Sequence, residues 1–571
     1  MGQAQHADPA APGAYPPPVH PVEEFIATPT DPPGERIEVG VAIVGGGPAG
    51  LACANRLMQL LADDPELTER LGDVPVAVIE KAKVCGAHNL SGAIMRPSAM
   101  ELLFPDIPRD RWPTYGPVPG EAVHLVVDSR RSVRIPTPPP FRNHGNVVIS
   151  VSELSRWLAK RAEEAGAYLL TETSATRLLV EDGVVRGVRS GDKGRGREGE
   201  QKSNFEPGSD LVARATVLAE GAWGHLTGAA VQRFELGGRD PQVWALGVKE
   251  VWEVPRPLTK VIHTLGWPLR TAAKYHEFGG SWIYPMGEDK VSIGFVCGLD
   301  YTDATMSVHD ILQLFKTHPL VRGILDGGRR VSWGAKAIPE GGWWALPKLA
   351  APGMVICGDA GGMVNVPELK GVHYAMHSGM LAAEQIYRSL RDDSTDLSAY
   401  DGAVRDSAIG RDLYRTRNMR QPFARGFFMG GFLTNLMIAT GGRFPGGHWT
   451  QHPDADAAMF EGGRSRTYPR PDGTYTFDKL SSVYLSGTAT RDDAPNHIRV
   501  RRKVPRVVAQ TWTSMCPAGV YEIGEDGNGE DSDLVDLVVN HTNCVQCGAI
   551  TAKGGRLTPP EGGVGPSYTN A

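Results

Sequence analysis

The chain is poor in the features that mark secreted, membrane-spanning or nucleic-acid-binding proteins. Its 571 residues include only seven cysteines, an odd number scattered along the length. That is no disulfide framework, and it favours a reducing compartment. Positive charge is not in surplus: 59 Lys and Arg stand against 65 Asp and Glu, a formal net charge of −6, so no nucleic-acid partner is expected. The N-terminus lacks both the apolar core of a signal peptide and an Arg-rich transit pattern. Residues 1–36 are rich in Pro and Ala and are expected to be a disordered leader on a cytoplasmic protein. His6 stands where N-myristoylation calls for Ser or Thr. What the chain does have is 69 glycines and 44 prolines, which point to many tight turns, and enough length for two to four domains.

The first informative glycines follow a short apolar strand pattern over Ile37 to Val44. Gly45, Gly47 and Gly50 occupy the G-x-G-x-x-G positions, and a helix pattern runs from Leu51 to Leu61. Such glycines let backbone approach a pyrophosphate at a helix N-terminus, where free N–H groups and the dipole favour negative charge. A second strand pattern, Val76 to Ile79, ends in Glu80, placed to accept hydrogen bonds from an adenosine ribose. Glu80 lies 30 residues beyond Gly50 rather than the usual ~20, with the polar stretch from Ala62 to Glu66 expected as a loop insertion. A buried strand pattern ending in Gly358-Asp359 favours FAD over NAD, because such a carboxylate sits on the ribityl chain in two-dinucleotide flavoproteins. The Gly- and Ala-rich run from Met363 to Ala383 suits a helix packed close to a cofactor.

The last seventy residues hold an incomplete iron–sulfur signature. Ferredoxin-type sites draw three thiolates from a C-x2-C-x2-C run and a fourth from a distant Cys, commonly followed by Pro. Here Cys516-Pro517 is the distant member and Cys544 and Cys547 begin the local run, but Ile550 occupies its third position. The expected centre is therefore either a [4Fe–4S] cluster with one non-cysteine ligand or water, or a [3Fe–4S] cluster. His541, Asn543 and Thr551 are the nearest polar candidates. Between Arg506 and Lys553 there is no Lys or Arg, while Glu525, Asp526, Glu530, Asp531, Asp533 and Asp536 crowd one segment, expected to be a solvated hairpin.

Between Arg425 and Arg443 lie 17 uncharged residues, short of the ~20 that a spanning helix needs. Phe428, Phe432 and Leu436 form one stripe, with Met429, Leu433 and Met437 beside it. Arginines at both ends suit a segment lying in a membrane interface; a buried helix is the other reading, and periodicity alone does not separate them. The polar stretch from Glu181 to Leu211 is expected as a flexible hairpin tip.

Several long motifs occur in an order that resembles the electron transfer flavoprotein–ubiquinone oxidoreductase family. They are Gly86 to Ala93 (G-A-H-N-L-S-G-A), Thr264 to Leu269, Gly279 to Tyr284, Asn365 to Glu384, Cys516 to Glu522 and Pro560 to Tyr568. The resemblance implies an α/β and α+β chain: a Rossmann-like FAD domain, an interleaved quinone domain and a C-terminal ferredoxin-like domain. Its boundaries would be 37–235 and 346–400 for FAD, 236–345 for quinone, 401–490 for a helical membrane-contacting region and 491–571 for the cluster. It adds His88, Ser91, Gly92 and Gly371 to the FAD set and implies a quinone site at Phe278, Gly279 and Gly280. Phe278 stands where the family has Tyr, and the loop Ile135 to Phe141 is shorter and less apolar than the family's.

The implied reaction is oxidation of reduced electron transfer flavoprotein with reduction of a membrane quinone. The enzyme would sit peripherally on the cytoplasmic face of the cell membrane. An FAD-dependent isoprenoid reductase and an electron-transfer subunit that never meets quinone are the alternatives.

Overall fold

The computed structural model describes residues 9–18, 22–30, 36–92, 94–460, 466–524 and 534–571. A strand over Arg36–Val44 (β1) enters the glycine turn, followed by a helix over Pro48–Ala62 (α1) and a strand over Val76–Ile79 (β2). β1 pairs in parallel with β2 on one side and with Asp210–Leu218 on the other, and the latter pairs in parallel with Met354–Ile356. Both faces of this nine-stranded sheet are covered, so the last six residues of β1 are all buried, the pattern of a parallel sheet between helices. A long helix over Val372–Arg391 (α2) lies against α1. The contact is close because α2 has a glycine there: a β-carbon on Gly379 would stand 2.1 Å from the Ala49 carbonyl oxygen.

A second sheet has seven strands in the order Arg329–Pro339 (β3), Trp244–Glu253, Lys290–Gly298, Gly279–Met286, Val261–Gly266, Glu121–Val126 and Ser132–Ile135. Its core is continuous with that of the C-terminal region. Leu246, Phe295 and Trp333 belong to the same apolar cluster as Val504, Trp512, Cys516, Cys544 and Ile550. A helix over Phe427–Ala439 (α3) packs against the turn Gln421–Arg425, and near the junction lie one over Lys479–Leu485 (α4) and one over Arg506–Met515 (α5).

Four sequence expectations change. The expected disordered leader of residues 1–36 is packed where it is described: Ile26–Ala27 pairs with Leu178–Leu179, and Phe25 is buried with its ring edge-on to His225. The expected loop at Ala62 to Glu66 runs into a helix over Pro65–Arg70, capped by the Asp64 carboxylate accepting from Leu67 N–H at 3.2 Å. The expected flexible hairpin tip is a hairpin, Lys193–Arg195 with Gln201–Glu206, but it is tied to the C-terminal region by the Lys202–Asp493 ion pair and by Arg491 donating to the Arg195 carbonyl. Within the expected 37–235, Glu121–Val126 and Ser132–Ile135 extend the second sheet, and within the expected 401–490, Val404, Ile409 and Leu413 pack into the core of the first. Of the acidic segment, Glu525, Asp526, Glu530, Asp531 and Asp533 lie outside the described residues.

Candidate functional site

The three fingerprint glycines are required for different reasons. Gly45 has φ +112°, and a β-carbon there would meet the Ala219 carbonyl oxygen at 2.2 Å; one on Gly50 would meet the Gly45 oxygen at 2.1 Å. Both are fixed by backbone packing against backbone. Gly47 is the N-cap of α1 and offers no side-chain cap, and a β-carbon on it would approach only Asn89, at 3.4 Å. The space in front of the α1 N-terminus is thus a cradle floored by free N–H groups. Glu80 is buried beside it, one carboxylate oxygen accepting from Gly46 N–H and the other from Ala82 N–H, each at 2.8 Å.

A cavity of about 500 Å³ opens from this cradle. Of the expected FAD residues, Gly45, Gly47, Glu80, His88, Ser91, Gly92, Asp359 and Gly371 line it; Gly50 lies behind the turn and does not. The cavity wall fits a polar cofactor. Asn89 Oδ1 and Trp223 Nε1 are buried there with no hydrogen-bond partner among the described residues, and an unsatisfied buried group costs about 1–3 kcal/mol unless something fills the site. Burial pushes the Asp359 carboxyl up to about 6, with Lys336 across the wall acting the other way.

Phe278, Gly279 and Gly280 line the same cavity. The resemblance implies a quinone site here, but the sheet itself demands the two glycines. Gly279 has φ +151° and a β-carbon would lie 2.0 Å from the Val296 oxygen; on Gly280 it would lie 2.6 Å from the Thr264 oxygen. The Phe278 ring meets Phe423 at 4.6 Å and carries the Arg420 guanidinium at 4.2 Å. Phe141, from the proline loop, stacks on the buried His263 ring at 4.9 Å with planes 10° apart. The cavity also reaches α3, where Phe427, Gly431, Thr434, Asn435 and Ile438 line it. This helix is inside out: Gly430, Thr434 and Met437 are buried, while Phe428 is 69% and Phe432 64% exposed. No helix among the described residues is long and apolar enough to cross a membrane.

The fold brings Cys516, Cys544 and Cys547 together as free thiols, with Cys516 acting electrostatically on the other two and Cys547 on Cys544. Burial pushes the Cys544 thiol far up and that of Cys547 to about 12. Backbone already points at two of the sulfurs: Val520 N–H donates to Cys516 Sγ at 3.4 Å and Gln546 N–H to Cys544 Sγ at 3.3 Å. Such N–H···S bonds stabilise thiolate charge on a cluster. Among the described residues no three His, Cys, Asp or Glu are grouped for a single metal ion; a cluster spreads its ligands over several irons. Ile550 is buried in the apolar core. Of the polar candidates, Thr551 Oγ1 accepts from Leu557 N–H and Asn543 donates to the Gly519 carbonyl, leaving His541 Nε2 without a partner among the described residues.

Comparison with known proteins decides the family. The chain is 38% identical to the mitochondrial electron transfer flavoprotein-ubiquinone oxidoreductase of Oryza sativa subsp. japonica, covering 94% of this chain and 93% of that one. It is 36% identical to the Sus scrofa mitochondrial protein of the same name, over 93% and 89%, and 36% identical to the Pseudomonas aeruginosa protein, over 94% and 99%. This chain belongs to the electron transfer flavoprotein–ubiquinone oxidoreductase family. Family models match in three places: the ubiquinone-binding model of the family at residues 244–338, its 4Fe-4S model at 473–569 and an FAD binding domain at 119–251. FAD and an iron–sulfur cluster are its cofactors. Among solved structures, a geranylgeranyl bacteriochlorophyll reductase-like protein from Thermoplasma acidophilum is similar in fold, with a TM-score of 0.53 and 17% identity over 71% of this chain and 91% of that one.

Within this family member, sequence reasoning missed Asn89, Lys81, Trp223, His263 and Lys336 as cavity residues. Asn89 sits inside the G-A-H-N-L-S-G-A motif and carried a signal. Lys336 carried none, because it reaches the cavity from an ordinary strand of the second sheet.

Proposed function

We propose that this chain takes electrons from reduced electron transfer flavoprotein and delivers them to a membrane quinone, while attached to the membrane surface through α3. The observation that carries this reading is one cavity that runs from the Gly47 cradle to a helix whose Phe428 and Phe432 side chains face outward. When bound, FAD exchanges electrons singly or in pairs and a cluster exchanges them singly, the chemistry that conversion between carriers requires. In this reading Gly45, Gly47 and Glu80 hold the adenosine diphosphate, and His88, Ser91, Gly92, Asp359 and Gly371 hold the ribityl and ring portions. Phe278 with its neighbours Phe423 and Phe427 walls the quinone head, which enters past Gly431 and Asn435. Cys516, Cys544 and Cys547 ligate the cluster. Two exposed phenylalanines flanked by arginines suit insertion into one leaflet with contacts to anionic headgroups.

The test exploits Gly431, which lines the cavity and has nothing within 4 Å of where its β-carbon would stand. Gly431→Trp should fold, keep flavin and iron, accept electrons from reduced electron transfer flavoprotein and fail to reduce a water-soluble quinone analogue. Undiminished quinone reduction in that variant would move the quinone elsewhere. Turnover with NADH alone in the wild type would overturn the reaction itself.

A further inference from the structure

The cluster segment has no cation of its own, since neither Lys nor Arg occurs between Arg506 and Lys553. The fold supplies three from other elements. Lys479, at the start of α4, donates through Nζ to the carbonyls of Thr513 and Ser514 at 3.0 and 3.1 Å, closing the last turn of α5 just before Cys516. Lys336, on β3, donates to the Gln546 carbonyl at 3.4 Å, and the next residue, Ala337, donates its N–H to the Cys547 carbonyl at 2.7 Å. Lys81 follows the ribose-facing Glu80 and is held by its carbonyl, which accepts from Gly563 N–H at 2.8 Å. Lys81 acts electrostatically on the Cys544 thiol and Lys336 on that of Cys547, while Lys479 feels the charge of Cys516. Lys81 and Lys336 also line the flavin cavity, where Lys336 acts on Asp359; Lys479 does not line it.

We propose that Lys336 and Lys479 are positioning residues that set the reduction potential of the cluster, and that Lys336, in the wall between the two centres, sets the flavin potential with it. The proposal rests on the ligand assignment to Cys516, Cys544 and Cys547. A positive charge fixed in a partly water-excluded site stabilises whichever neighbouring centre has gained an electron. These two charges offset the thiolates, and the shared one shifts both centres in the same direction, which keeps electrons exchangeable between them.

The experiment is an anaerobic potentiometric titration of the purified holoprotein, with the cluster followed by EPR and the flavin by absorbance. Iron and flavin contents are measured alongside. K479M should lower the equilibrium constant for cluster reduction about tenfold, 59 mV for a one-electron couple, and leave the flavin couple in place. K336M should lower both couples, and K336R, which keeps the charge, should restore both. Wild-type midpoints in iron-replete K336M and K479M would overturn the proposal while leaving the ligand assignment standing. An iron-free wild type prepared anaerobically would overturn both. K479M keeps the proposal falsifiable if K336M fails to load its cofactors.

Discussion

A β-carbon on Gly50 would stand 2.1 Å from the carbonyl oxygen of Gly45, so the first turn of α1 is pressed against the strand-to-helix turn with no room for a methyl group. Gly50→Ala should therefore destabilise the fold itself, by about 3 kcal/mol on the scale of overpacked sites. Gly47→Val should leave the apoprotein melting near the wild type, since only Asn89 is close, yet prevent flavin retention by filling the cradle. Thermal melts with flavin quantified after denaturation separate the two. A flavin-replete Gly47→Val protein would refute the pyrophosphate assignment.

The outward face of α3 gives a membrane prediction. Burying a phenylalanine side chain stabilises by about 2 kcal/mol, so Phe428→Asp with Phe432→Asp should weaken partitioning onto anionic vesicles on the order of a hundredfold or more. Flavin and iron contents should be unchanged, because both side chains are largely exposed. Vesicle co-sedimentation measures it, and equal binding of the double variant would place the membrane contact on another surface.

What the sequence made legible was local. The run from β1 through the glycine turn to α1 and β2 could be read because strand, turn and helix are contiguous, and Glu80 was found despite the helix over Pro65–Arg70 that lengthens its spacing. The cysteines were legible as a pattern, but not the lysines around them. Lys336 matters only because β3 pairs its Ala337 with Cys547, a contact across some two hundred residues of sequence. On α3 the period revealed the Phe428–Phe432 stripe but not which way it faces; that depends on Phe423 filling the space over Gly430. The N-terminal region was misread because proline-rich composition concealed Phe25 and Ile26, whose partners lie some 150 to 200 residues further along.

His263 gives a pH prediction. Burial, with a smaller contribution from the charge of Lys370, holds its imidazole down at about 3, against about 6.5 in an unfolded chain. The neutral form is favoured in the fold, so unfolding takes up a proton between these values. The resulting stability is fully present above about 6.5 and is lost as pH falls toward 3, at up to about 1.4 kcal/mol per pH unit. His263→Gln should keep the hydrogen bond that Tyr284 makes at 2.7 Å and lose this proton uptake. Denaturant titrations at pH 6.5 and 5.0 should show a smaller drop in stability for the variant; identical slopes would mean that His263 is protonated in the fold.

The third position of the local cysteine run gives the sharpest test of the cluster. Ile550 is buried in the helical turn Ala549–Ala552, and a β-carbon on Gly555 would approach its Cγ1 to 2.5 Å. Cysteine is smaller than isoleucine, so Ile550→Cys fits without overpacking and costs about 1–3 kcal/mol in lost apolar contact. Its thiolate would complete the set of Cys516, Cys544 and Cys547. A corner without a thiolate is the point at which oxygen or water reaches iron, so the variant's visible absorbance should bleach more slowly in air than the wild type's. Its EPR signature should change as well. A wild-type signal in the oxidised state that is replaced by one seen only after reduction would identify the native centre as a three-iron cluster converted to a cube. Unchanged bleaching and an unchanged spectrum would show that residue 550 does not face the centre, and would direct the search for the fourth ligand to His541, whose Nε2 stands without a partner among the described residues.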